Sequence, residues 1–223
     1  MSRWGRKKNE PENGDLITKA AFELLMEKGY ADTSYADIAK RSGKTRSLVQ
    51  YYYPKKEALL SEFMLRSLEL SGDYMEEHAL GTDSCFIDFA VMGHMHFHFL
   101  LANEDLRPLA LDITSQRPAS QAVIEVMHRW GCEYEELKDL PRQTTLDAYL
   151  LSLGGAYELT SQHLRAETPI DIPDLLKRTI TTFMFQLGFP TEDFEAEFET
   201  HLLSDEVIDD ANEYILEHIR EPV

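Results

Sequence analysis

Residues 36–60, ADIAKRSGKTRSLVQYYYPKKEALL, decide the fold. Three consecutive tyrosines, Tyr51, Tyr52 and Tyr53, stand between a basic cluster and Pro54-Lys55-Lys56-Glu57. Gly43 supplies a tight turn, Thr45 is placed to cap the helix that follows, and Pro54 stops that helix near Tyr53 while being able to open the next. Upstream, Ile17, Ala20, Ala21, Leu24 and Leu25 share one face of a first helix, which begins after Asn13 and Gly14 and stops at a left-handed C-cap at Gly29. Thr33 or Ser34 caps a short second helix carrying Tyr35, Ile38 and Ala39. Helix, short helix, tight turn and helix is the plan in which the last helix enters a DNA major groove.

Charge separates this segment from the remainder. The 223 residues carry a formal net charge of −18, yet residues 1–60 hold 12 basic against 8 acidic side chains, whereas residues 61–223 hold 10 against 32. Electrostatic steering depends on local potential, so an acidic whole does not exclude a DNA-facing end. Beyond residue 60 the pattern stays helical: a fourth helix over about 55–78, then spans near 84–102, 119–137, 141–165, 173–187, 191–202 and 204–219, with breaks at Pro108 and Pro118. The class is all-α. The amino terminus shows no apolar core after its positive charges, and no run approaches 18 apolar residues, so a cytoplasmic protein without a membrane partner is expected. Cys85 and Cys132 read as free thiols.

The wording of residues 16–60 resembles the amino-terminal domain of the TetR family of transcriptional regulators, through Ala20-Ala21, Leu24-Leu25, Gly29-Tyr30, Thr33, Ile38-Ala39, Gly43, Tyr53, Lys56-Glu57 and Leu59-Leu60. The resemblance implies a basic arm over 1–14, a helix-turn-helix domain over 15–60 with helix four continuing to about 78, and a larger helical effector-binding and dimerisation domain over 61–223. It implies a homodimer on a near-palindromic operator in double-stranded DNA, most simply a repressor released by a small molecule. Carried over by position, Arg46, Ser47, Leu48 and Gln50 face the groove, Thr45, Tyr51, Tyr52 and Lys56 meet the backbone, Tyr35 assists from the second helix, and Val49 and Tyr53 point inward. Arg46 has the fork geometry for guanine and Gln50 for adenine. Two departures are Gln50, where a tyrosine is usual, and Lys44, where a small apolar residue is usual. Arg3, Arg6, Lys7 and Lys8 could reach a minor groove or only solubilise the chain.

The span SCFIDFAVMGHMHFHFLLAN, residues 84–103, is apolar on nearly every face and should lie at the centre of the second domain. His94 and His98 share a face at i, i+4, and His128 and Cys132 repeat the spacing. Such pairs can hold zinc, but satisfied core histidines are the commoner cause, so no metal is expected. A pocket lining of Met92, Met95, His96, Phe99, Met127, Trp130, Tyr134, Tyr149 and Tyr157 suits a small, largely apolar effector, with His94, His98, Met127, Trp130 and Tyr149 as the assigned contacts. Dimerisation is expected through Leu150, Leu153, Gly154, Tyr157, Ile180, Phe183, Met184 and Leu187. No phosphate loop, nucleophile elbow or HExxH is present, so neither catalysis nor a cofactor is expected. The competing reading is a helical ligand- or metal-binding protein without operator binding.

Overall fold

The computed structural model describes residues 12–221, so the basic arm at Arg3, Arg6, Lys7 and Lys8 lies outside the described residues. Eleven α-helices and one 3-10 turn make up the described chain, and the all-α architecture of an amino-terminal helix-turn-helix unit followed by a larger helical domain is present. Helix α1, Glu12–Asp32, is bent at Gly29, whose φ of 77° a side chain would resist. Helix α2, Tyr35–Ser42, starts on a capping box: Asp37 N donates to the Ser34 hydroxyl, and the Asp37 carboxylate takes the Ser34 N–H at 3.2 Å. Gly43, at φ 67°, ends it in the left-handed region. Helix α3, Arg46–Tyr52, is capped by Thr45, whose hydroxyl accepts from Leu48 N.

Helix α4, Ala58–Glu77, belongs to both halves of the fold, packing on α1 and on α5, α6, α7 and α11. It starts three residues later than the sequence suggests, because residues 55–57 form turns whose carbonyls receive Ala58, Leu59 and Leu60. Helix α5, Cys85–Ala102, is buried along most of its length between α4 and α9. It is long and apolar enough to cross a membrane, contrary to the sequence expectation, and its burial inside the helical domain accounts for that composition.

Helix α6, Arg107–Ser115, occupies a stretch where the sequence suggests only a break at Pro108. The proline sits instead in the first helical turn, where its missing N–H costs nothing, and Pro118 does the same for α7, Arg117–Gly131. Helix α7 ends about six residues earlier than the periodicity suggests, at Gly131, and successive turns carry the chain to Leu140. Helices α8, Arg142–Ala166, and α9, Ile172–Leu187, form the most extensive helix pair. The acidic α10, Glu192–His201, and α11, Asp205–His218, turn Phe194, Phe198, Ile208 and Ile215 inward.

Candidate DNA interface and effector cavity

The face of α3 is set by what must be buried. Val49 is fully enclosed, and Tyr53 follows it inward, its hydroxyl 2.7 Å from the Thr18 hydroxyl. At 100° per residue that orientation turns Arg46, Ser47, Gln50 and Tyr51 outward, and all four are exposed, Tyr51 to 77%. Leu48 is half-buried at the rim of the core. Thr45 is exposed with its hydroxyl already spent on the cap. Tyr52 lies edge-on to Tyr51 and closes against Gly14, where an added Cβ would stand 3.0 Å from its ring.

Two predicted contact residues hold the unit together instead of projecting from it. Tyr35 donates its hydroxyl to the Tyr53 carbonyl at 2.7 Å, tying α2 to the end of α3. Lys56 donates to the Ala31 carbonyl at 3.3 Å and rests over the Tyr30 ring at 4.2 Å, and burial lowers its pKa. Sequence reading missed the clasp behind the interface. Arg41 makes a bidentate pair with Glu27 at 2.6 and 2.7 Å, which raises the pKa of Arg41 and lowers that of Glu27. The Ser34 hydroxyl and Lys28 hold Asp37 at a pKa of about 2. Among the described residues no ion pair engages Lys40, Lys44, Arg46 or Lys55, so four cations around α3 are left for an outside anion.

The second domain encloses a cavity of about 50 Å³. Its walls come from Leu68 of α4, Phe89, Met92, Gly93 and His96 of α5, Met127 of α7, Tyr149, Ser152 and Tyr157 of α8, and Leu176, Thr179, Ile180 and Phe183 of α9. Of the residues assigned to the effector, Met127 and Tyr149 line this cavity. Trp130 does not: it lines a separate, more open recess of about 270 Å³ with Met75, Asp88 and Tyr134. His94 and His98 also differ from expectation. They face α11, where His98 Nδ1 is 2.8 Å from the Asn212 side-chain nitrogen, and the histidine at the cavity is His96. Burial lowers the pKa of His94 and of His96 to about 4, so both rings are neutral at neutral pH. Met95 and Phe99 also lie outside the cavity, Phe99 stacking on Phe63 of α4.

The potential metal pairs are set apart in the fold. His128 and Cys132 approach to 3.8 Å on one helix end, and no third ligand joins either pair among the described residues. Cys85 is buried and Cys132 exposed, both as free thiols.

Comparison with known proteins identifies the class that this geometry defines. Residues 17–63 match the family model of bacterial regulatory proteins of the tetR family. The HTH-type transcriptional regulator BetI of Stenotrophomonas maltophilia (strain R551-3) is 33% identical over 63 residues, 28% of this chain and 32% of that protein. The chain thus matches about a third of the length of this curated relative. A TetR transcriptional regulator from Rhodococcus sp. RHA1 has a crystal structure that superposes with a TM-score of 0.61 at 18% identity, covering 80% of this chain and 98% of that one. That likeness extends the shared fold beyond the helix-turn-helix. Residues 17–63 thus carry the helix-turn-helix of bacterial regulatory proteins of the tetR family, and most of the chain shares the fold of a TetR transcriptional regulator.

Proposed function

We propose that the protein is a homodimeric transcriptional repressor that leaves its operator when a small, largely apolar effector enters the cavity between α5, α7, α8 and α9. The observation that carries the DNA reading is the outward face of α3. Arg46, Ser47, Gln50 and Tyr51 stand exposed on a helix whose inner side is locked, amid four uncommitted cations, in a chain that is otherwise acidic. Arg46 and Gln50 read base edges, while Lys44, Lys55, Ser47 and Tyr51 meet phosphates. The acidic second domain repels the duplex and so orients the approach.

Release follows from size. Pockets for small organic ligands span roughly 300–1,000 Å³, several times the present cavity of about 50 Å³, so an effector must part the helices that line it. Leu68 lies on that wall and also on α4, whose first turn adjoins the helix-turn-helix unit. Helix α6 supplies a second link, because it packs on α1 and Asp112 sits near Tyr30 and Lys56. Opening the cavity thereby shifts the two recognition helices of a dimer relative to each other, and effector and operator oppose one another through one equilibrium.

The DNA reading is tested by titrating duplex DNA at several salt concentrations. Each neutralised phosphate contributes about −0.9 to the slope of log affinity against log salt, and a slope steeper than about −4 for the dimer is expected. A flat dependence would favour the ligand-binding reading without operator contact.

A further inference from the structure

The cavity is apolar but for a few groups whose hydrogen-bonding states can be assigned. Ser152 donates to the Ala148 carbonyl at 2.7 Å, Thr179 to the Leu175 carbonyl at 2.6 Å, and Tyr149 to the Met127 carbonyl at 3.1 Å, so these three hydroxyl protons are spent. His96 is different. It is 2% exposed, lines the cavity, and its Nε2 has no hydrogen-bond partner among the described residues. Its other nitrogen, Nδ1, is 3.4 Å from the Ser67 hydroxyl, and that hydroxyl gives its proton to the Met64 carbonyl at 2.9 Å. Ser67 can then only accept from the ring, which places the single imidazole proton on Nδ1. Nε2 is left as a bare lone pair in an apolar enclosure.

We infer that the effector is a small alcohol or phenol whose hydroxyl donates to His96 Nε2. The inference rests on the effector reading above and narrows its chemistry. A buried acceptor without a donor is costly, so a ligand that supplies one gains more here than the same contact gains in water. Ethers, ketones and hydrocarbons bring no donor. A carboxylate brings neither a donor nor a countercharge into an apolar enclosure, which is costlier still. Tyr157, which lines the same cavity, adds a hydroxyl that can donate to the ligand oxygen. A hydroxyl is the small group that gives one hydrogen bond and takes another.

The experiment titrates the full chain by calorimetry with para-ethylphenol, para-ethylanisole and ethylbenzene, matched probes of which only the first carries a donor. The phenol should bind about tenfold more tightly than either analogue, the worth of one desolvated hydrogen bond. In His96→Phe, which keeps a flat ring, the three should bind alike. Nitrogen-15 spectra of the unmodified protein provide a readout that no variant can spoil: His96 Nε2 should be unprotonated when free and should shift on adding the phenol. Equal binding of phenol and anisole, no binding of any probe, or a proton on Nε2 would overturn the inference. Release of DNA is measured with the same probes. Selective phenol binding without release would refute the effector reading while leaving the site intact, and release that ignores the donor would do the reverse.

Discussion

At the scale of single residues, burial divides the basic, tyrosine-rich segment into framework and contact. Val49 and Tyr53 go inward, Tyr35 and Lys56 fasten the helix-turn-helix corner, and Arg46 and Gln50 are left exposed on the outer face of α3. Arg46→Ala should cost about 1–3 kcal/mol of operator affinity and relax preference at one base pair, as measured by binding to single-substituted duplexes. Lys56→Ala should lower the thermal midpoint, since the ammonium holds the Ala31 carbonyl, and should weaken all duplexes alike by loosening the helix-turn-helix corner. Which tyrosine turns inward was legible only through the resemblance carried over by position, because helical periodicity says no more than that three adjacent tyrosines cannot all face one core. That Tyr35 bonds a carbonyl 18 residues away was not, since nothing local encodes the partner. The histidines show the same limit. Their spacing establishes that His94 and His98 share a face and His96 another, but α5 is apolar all round, so periodicity carries no information about which face meets the cavity.

Among the elements, α8 and α9 show what sequence pattern can and cannot assign. The apolar face expected at the dimer contact is partly spent inside the protomer, where Tyr157, Ile180, Phe183 and Met184 are buried. The large apolar side chains left in the open on these two helices are Leu150, Leu151, Leu159 and Phe185, the last at 78% exposure, and nothing lies within 4 Å of where a Cβ on Gly154 or Gly155 would be. Both helices are apolar on two sides, one buried at the cavity and one exposed, and a single periodicity cannot separate them. An unpaired apolar face beside open glycines suits close packing of a second copy. Leu151→Lys combined with Phe185→Lys should convert the protein to monomers in sedimentation while leaving its helical content unchanged, and operator affinity should fall because each monomer keeps only one half-site. A fully dimeric double variant would place the interface elsewhere. Helix α6 was invisible for a different reason: a nine-residue helix opened by proline reads as a break unless the proline is recognised as an N-terminal residue.

For the whole molecule, two neutral histidines in the second domain set a pH response. The folded pKa of His94 and of His96 lies near 4, below the ordinary value of about 6.5. Between those values the unfolded chain binds protons that the folded one refuses, so stability is full above about pH 6.5 and falls as pH drops towards 4. Each displaced unit corresponds to 1.36 kcal/mol, which makes the loss at His96 about 3 kcal/mol at most. Thermal midpoints over this range should decline less steeply in the His94→Leu, His96→Phe double variant than in the unmodified protein, and parallel curves would contradict the assignment. The carboxylates titrate in both proteins, so the difference isolates the imidazoles.

The proposed division of labour between a basic recognition unit and an acidic helical body that pairs with a second copy predicts what the molecule selects. Random duplex DNA should be incubated with the pure full-length protein, and the bound fraction sequenced over successive rounds. Enrichment of a near-palindrome, with two half-sites related by the dimer's two-fold axis and with a base preference that Arg46→Ala relaxes, is the result this account predicts. Enrichment of no sequence, or of one that is indifferent to Arg46, would contradict it.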